Sequence, residues 1–334
     1  MVSINNSPWG VLVSATRTPR VAAAALSLSI ATALTLTACG SADDAKASGI
    51  TVVASTNVWG SVAEAVAGDS ATVTSLIQDP SADPHSYEST PSDAAEVTDA
   101  DLVVFNGGGY DEFVEKILAD TGSKPTVEAF ALLGAEGDLG TEDGHDHSVT
   151  EPADGHDHEH GGVNEHVWYD IPTVDAVAHK IADELSKIDP DNAAAYTERA
   201  EAFHEKLHGI ADVTAKIKTD HPNSPVAQTE PIAHYLLLAA GADDVTPGEF
   251  EEAIEQGNDP SPSALAATRD LISQKQVRAL VFNVQTEGKV ADDVRATAET
   301  AGVPIVEVSE TLPDGLDYIQ WQTQNAEALA EALN

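Results

Sequence analysis

The chain has 334 residues, 42% of them hydrophobic, which is enough for two ordinary domains with real cores. Its 56 acids against 16 bases leave a formal charge of −40, and that balance argues against nucleic acid, whose phosphates such a surface would repel. A surface of this sign fits a strongly solvated protein that works outside the cytoplasm or handles cations.

The chain opens on what reads as an export signal. Arg17 and Arg20 flank an apolar and small-residue run from Val21 to Thr37. The run matches a secretory h-region and is marginal for a spanning helix, which needs about 20 strongly apolar residues. It closes on Leu36-Thr37-Ala38-Cys39, which resembles a bacterial lipobox, where cleavage before the cysteine leaves it as a lipidated N-terminus. Residues 1–38 are therefore expected to be a lipoprotein signal peptide, Cys39 the membrane anchor and 39–49 a flexible stalk. Cys39 is the chain's single cysteine. No thiol remains for disulfides or soft ligation, so a metal site has to be built from histidine and carboxylate.

From residue 50 the pattern alternates. "ITVVAS" (50–55), "ATVTSLI" (71–77), "DLVVFNG" (101–107) and "TVEAF" (126–130) read as strands, with helical spacing at 58–67, 91–100 and 110–120 between them. Strands that are continuously apolar, with helices in between, indicate a parallel sheet covered on both faces. That gives one α/β lobe at 50–135. A second, at 221–334, follows from "PVAQT" (225–229), "ALVFN" (279–283) and "VPIVEVS" (303–309), interleaved with helical segments and closed by a C-terminal helix. Residues 166–220 form a helical segment between the lobes. Within it Tyr196, Ala200, Phe203, Leu207, Ile210, Thr214 and Ile217 recur at steps of four and three, one seam of a long amphipathic helix over 191–218. At 1.5 Å per residue such a helix spans about 40 Å. The expected fold class is thus α/β, two lobes with parallel sheets joined by one long rigid helix. The cleft between the lobes is where such folds bind ligands.

The long helix carries His204-Glu205-Lys206-Leu207-His208, which matches the H-E-x-x-H pattern of zinc hydrolases, two histidines on one face with a glutamate as base. Phe203 and Leu207 already commit this helix to a packing seam, and no further signature of that class follows downstream. The motif is read as an exposed helix face, with a secreted zinc hydrolase as the alternative function.

Residues 136–165 form an acidic, histidine-rich segment rich in Gly, Asp, Glu and Pro, with no lysine or arginine between Lys124 and Lys180. It lacks apolar periodicity and cannot bury a core, so it reads as a mobile loop. His145, His147, His156, His158 and His160 lie in it as an auxiliary, weak metal-binding tract, while His166 follows at its edge, backed by Val167 and Trp168.

Four places set a histidine or carboxylate in a loop beside a strand or at a helix start. They are His85 in "DPSADPHSYESTPSD", His166 in "NEHVWYDIP", Glu230 in "VAQTEPIAHYLL" and Glu310 in "VEVSETLPDG". In this order, and with "DLVVFNGGGYDEFVEKIL" after the first, they resemble the metal-specific solute-binding lipoproteins of zinc and manganese ABC importers, over about 50–334. The resemblance implies two α/β lobes joined by a long helix with the metal between them, and an extracytoplasmic, lipid-anchored receptor, monomeric, that hands metal to an ABC permease. It places the family's two histidine ligands on His85 and His166. The third, histidine in typical zinc members and glutamate in some manganese members, falls on Glu230, with His234 one turn later as a competitor. The fourth, usually aspartate, falls on Glu310, a departure that requires the longer side chain to fold back or bind bidentately.

Two imidazoles and two carboxylates neutralise a divalent cation and leave no position for a reactive water, so no catalysis is expected. Zinc accepts this set as a tetrahedron, and manganese accepts it with more oxygen. Histidine-rich loops at this point resemble those of zinc-specific members, which favours Zn²⁺ as cargo, with Mn²⁺ as the alternative favoured by Glu230.

Overall fold

The computed structural model describes residues 49–79, 82, 84, 85, 87–134, 163–286 and 288–334. The expected signal peptide, Cys39 and the tract from His145 to His160 lie outside the described residues, as does the stalk up to residue 48.

The first lobe runs β1 (Ile50–Thr56), α1 (Asn57–Ala67), β2 (Ala71–Ile77), α2 (Pro91–Asp99), β3 (Leu102–Phe105), α3 (Glu112–Thr121) and β4 (Thr126–Glu128). Two helices follow, α4 (Ile171–Ile188) and α5 (Ala193–Asp220). The second lobe is β5 (Pro225–Gln228), α6 (His234–Ala239), β6 (Asp243–Asp244), α7 (Gly248–Glu255), α8 (Pro262–Ser273), β7 (Ala279–Asn283), α9 (Lys289–Ala301), β8 (Ile305–Val308) and α10 (Tyr318–Leu333). Each lobe holds a four-stranded sheet, in the orders β2-β1-β3-β4 and β6-β5-β7-β8, and every pairing is parallel. The two sheets therefore share one winding, and in each the strand order reverses between the first and third strands of the lobe, at β1/β3 and at β5/β7. Those switch points open crevices at the strands' carboxyl ends.

Side chains alternate across a strand, so the apolar runs feed two cores at once. In β1, Val52 and Ala54 face the large central cluster while Val53 faces a cluster with Val97 and Val114 from α2 and α3. In β7, Ala279 and Val281 join the central cluster, whereas Leu280 and Phe282 pack against Ile272 and Val294 from α8 and α9. The central cluster includes residues of α1, α4, α5 and α10 together with both sheets, so one continuous core ties the lobes to the helices between them. At about 25 cal/mol per Å² of apolar surface, each of its large buried side chains contributes about 1.5–3 kcal/mol.

The buried residues of α5 are Tyr196, Ala200, Phe203, Leu207, Ile210, Thr214 and Ile217, the seam read from the sequence. Pro190 separates it from α4 by a short 3-10 turn over Pro190–Asn192, so the helix begins two residues later than its spacing suggests. The link between lobes is a hairpin of two helices. α4 is capped by Asp170, whose side chain accepts from the Thr173 amide, and carries a proline in its first turn. The strand expected over 126–130 stops at Glu128. Its partner β3 ends at Phe105, where Asn106-Gly107-Gly108-Gly109 turns away, and residues Phe130–Leu132 curl into a 3-10 turn. β6 and α7 have no counterpart among the predicted elements; β6 has two residues, too few to carry an alternation.

Candidate metal centre

The loops after β2, β3, β5, β7 and β8 converge between the lobes. His85 lies beyond β2, Glu230 two residues past β5, and Glu310 two residues past β8. His166 immediately precedes the buried 3-10 turn Val167–Tyr169. Donor atoms of His85, His166 and Glu310 lie within 4.8 Å of one another, and His85 Nε2 stands 4.0 Å from Glu310 Oε2. Ligands on a tetrahedral zinc are about 3.3–3.5 Å apart, given bonds of about 2.0–2.2 Å, so a small closing movement would bring these two into range.

His166 is fully buried and its ring is oriented from behind. Its Nδ1 lies 3.1 Å from Asn164 Oδ1, which also accepts from the His166 amide at 2.9 Å. Because an amide oxygen only accepts, Nδ1 carries the hydrogen and the Nε2 lone pair faces the cluster. Nε2 is buried without a hydrogen-bond partner. An unpaired buried nitrogen costs about 1–3 kcal/mol, and an outer carbonyl fixing a histidine tautomer is the usual arrangement behind a metal-binding imidazole. Burial, reinforced by the charges of His85 and His234, holds the imidazole well below its ordinary pKa and so in the neutral, ligating form. Asn164 is itself pinned, its Nδ2 donating to Pro231 O at 2.9 Å and its carbonyl accepting from Tyr235 Oη at 2.7 Å.

Glu310 and Glu230 are both buried and share one amide. Asn283, at the end of β7, donates from Nδ2 to Glu310 Oε1 at 3.0 Å and also to Glu230 Oε2. The β5/β7 switch point is what sets these groups side by side. Tyr110 adds a donor from the other lobe, its Oη 3.3 Å from Glu310 Oε2. It arrives there because Gly107, Gly108 and Gly109 all take positive φ; a Cβ on Gly107 would stand 2.5 Å from a Glu128 oxygen. Gln285 stitches the lobes directly, donating to Ala82 O at 3.1 Å and accepting from the Glu310 amide at 2.6 Å.

Sequence reasoning missed Asn283, Tyr110 and Glu255. The last ends α7, with Oε1 3.6 Å from His166 Nε2, and forms a second donor group with His85 and Glu165. Burial, then the neighbouring Glu165, Glu230 and Glu310, raise its pKa to about 8. Acids crowded in this way favour a divalent cation among them. Among the described residues neither Glu230 nor His234 falls in such a group of three donors; Glu230 is tied to the cluster through Asn283. His234 is exposed at the start of α6, its ring stacked edge-on against Tyr235 at 5.0 Å.

Residues 52–332 match the family model for ZnuA, the periplasmic component A of a zinc-uptake complex. The chain belongs to the ZnuA family. Members are solute-binding proteins of metal ABC transporters rather than enzymes. The manganese-binding lipoprotein MntA of Halalkalibacterium halodurans is 26% identical over 313 residues, 90% of this chain and 95% of that protein. The high-affinity zinc uptake protein ZnuA of Bacillus subtilis is 25% identical over 257 residues, 76% of this chain and 78% of its own length. Among solved structures, FpvC of Pseudomonas aeruginosa with Ni²⁺ superposes with a TM-score of 0.64 at 25% identity, covering 85% of this chain and 97% of that one. Its two-lobed architecture is that of the ZnuA family, and no described helix is long and apolar enough to cross a membrane.

The H-E-x-x-H segment departs from the expectation of an exposed face. His208 and Glu205 are exposed, but His204 is largely covered and its Nδ1 lies 3.1 Å from both carboxylate oxygens of the buried Asp175 on α4. The hairpin packing of α4 on α5, invisible in the sequence, brings them together.

Proposed function

We propose that the protein is an extracytoplasmic receptor, lipid-anchored through Cys39, that captures Zn²⁺ and delivers it to the permease of an ABC importer. His85, His166, Glu230 and Glu310 are its ligands in this reading, and binding and release are its whole task. The observation that carries it is His166 Nε2, buried, without a hydrogen bond and tautomerically fixed, facing a histidine and carboxylates from separate elements. Two imidazoles with two carboxylates suit zinc, and the Irving–Williams order places zinc above manganese for such a set. The histidine tract before residue 162 favours zinc as well, as a collecting segment. Zinc is also the metal named for the Bacillus subtilis relative.

Manganese is the second reading. Glu230 in place of a third imidazole, with Glu165 and Glu255 beside the cluster, offers the oxygen-rich environment manganese prefers, and manganese is named for the Halalkalibacterium halodurans relative. The deciding experiment measures metal content and competition on the lipid-free mature chain, intact and lacking residues 144–162. One tightly held zinc that survives both the deletion and excess manganese supports the zinc receptor. Zinc lost with the deletion would move the site into the tract, and zinc readily displaced by manganese would make manganese the cargo.

A further inference from the structure

A second group of side chains of metal-ligating type lies on the α4–α5 hairpin, on helices that supply none of the donors grouped in the interlobe cluster. Asp175 and His179 stand one turn apart on α4, and His204 and His208 one turn apart on α5. Donor atoms of Asp175, His179 and His204 fall within 4.8 Å of one another. His179 Nε2 is 3.6 Å from Asp175 Oδ1. His204 and His208 present their Nε2 atoms to each other at 3.3 Å, with rings edge to face at 4.8 Å between centroids.

We propose that this cluster is a second site for a divalent transition metal of the imidazole-preferring class, Zn²⁺, Ni²⁺ or Cu²⁺. His204 and His208 ligate through Nε2, His179 supplies a third imidazole by a swing of its half-exposed ring, and Asp175 orients His204. Three features point this way. The 3.3 Å separation of the two Nε2 atoms equals the edge of a zinc tetrahedron with Zn–N bonds of about 2.0–2.1 Å, which is about 3.3–3.4 Å. The Asp175 carboxylate accepts the Nδ1 hydrogen of His204 with both oxygens, so the tautomer leaves the Nε2 lone pair pointing at His208, the carboxylate–histidine–metal relay. And Asp175, 2% exposed, has no lysine or arginine against it; its ion-pair partners among the described residues are His179 and His204. Nearby Lys180 is occupied by Glu184 at 3.0 Å. A buried carboxylate set against imidazoles alone is poorly neutralised unless they carry a proton or a metal.

The site differs from the hydrolase reading of the same motif. Glu205 points away to solvent as an exposed residue, and the acid that matters comes from the other helix. With His208 exposed and His179 39% exposed, a cation enters directly from a solution that the acidic surface enriches in cations. Once bound it clamps α4 to α5 and stiffens the hairpin that joins the lobes. Manganese and calcium, which prefer oxygen, are excluded by the donor set.

The test is a zinc titration of the full mature chain, with bound metal counted by competition against a chromophoric chelator, beside His208→Ala and His179→Gln. Both side chains reach solvent, so neither change should disturb folding; circular dichroism and the metal-free melting temperature check this. The parent chain is expected to bind one more equivalent at micromolar zinc than His208→Ala, with the tightest equivalent unchanged. His179→Gln should weaken that additional equivalent by at least about tenfold, and the zinc-dependent rise in melting temperature should shrink in step. Equal stoichiometry in parent and His208→Ala would overturn the proposal and leave the 3.3 Å contact as a hydrogen bond sharing one proton. Loss of the tightest equivalent in His208→Ala would overturn it too, since the two sites would not be separate.

Discussion

The two histidine clusters differ in what fixes their geometry. In the hairpin cluster, His204 and His208 are spaced by helix geometry, and Asp175 and His179 by the packing of α4 on α5. Those backbone positions stay fixed unless the two helices separate, and only side-chain rotations, such as the swing of His179, alter the distances between donors. In the interlobe cluster the grouped side chains come from separate loops, His85 in one lobe, Glu310 in the other with Glu230 tied to it through Asn283, and His166 at the entrance to the hairpin. A small movement of one lobe changes several of these distances together. A protein that must surrender its cargo is better served by the second arrangement, because release then needs a shift of elements rather than their unfolding. The first suits a metal that stays.

The sharpest way to break this contrast is His166→Ala. If the interlobe cluster is the tight site, the change removes a ligand that nothing else can replace, and affinity should fall by more than the hundredfold upper range for losing a mere orienting group, about 10–100-fold. Chelator competition at neutral pH reads this, and an unchanged tight equivalent would transfer the site elsewhere. Asn283→Ala should come next, at about 10–100-fold. Its amide is the bridge between Glu230 and Glu310, and without it two buried carboxylates repel each other and lose register. Glu255→Gln is expected to cost less than about tenfold, the low end of an outer-sphere effect. A loss as large as that of His166→Ala would make Glu255, rather than Glu230, the fourth ligand.

The same contrast marks what the sequence could convey. Strands and the long helix were legible because their signals are local: short, mostly apolar runs bounded by turn residues, and a seam of seven positions in α5, six apolar with Thr214, that are all buried. His85, His166 and Glu310, which the fold brings together, and Glu230, which Asn283 ties to Glu310, were singled out as candidates through their loops and the resemblance those loops carry together. Asn283 escaped because a neutral amide at a strand end looks like a cap, and its role depends on β5 lying beside β7. Glu255 escaped because it is one of 56 acids and sits on a helix with no motif. Asp175 escaped because it lies 29 residues from His204; local periodicity carries no information about which face of one helix meets which face of another. Loop chemistry is written in the sequence, while helix pairing emerges only from the packed core.

Glu251, on α7, supplies the comparison in which a covered carboxylate is set against another carboxylate. Its neighbour is Asp244, which is held by Gln228 at 2.7 Å and by Thr246. Burial first, then the charge and hydrogen bond of Asp244, raise the Glu251 pKa to about 10, so it keeps its proton at neutral pH and donates to Asp244. The sign follows from linkage. The unfolded chain sheds this proton near 4.5 and the folded chain only near 10, so the folded state binds more protons in between. Stability from this group is complete below about 4.5 and declines as pH rises towards 10, with a slope of at most about 1.4 kcal/mol per pH unit. Glu251→Gln retains a donor for Asp244 and removes the titration. Urea unfolding of the metal-free protein at several pH values should therefore show the parent losing stability relative to the variant as pH rises. Parallel curves would mean that Glu251 is ionised in the folded protein. Added zinc tests the link to the interlobe cluster, because the charge of Glu255 on the same helix acts on Glu251 and His234 interacts with Asp244. A cation bound between the lobes should therefore lower the Glu251 pKa and shrink the difference, and a difference unchanged by zinc would show that the pair is electrically separate from that cluster.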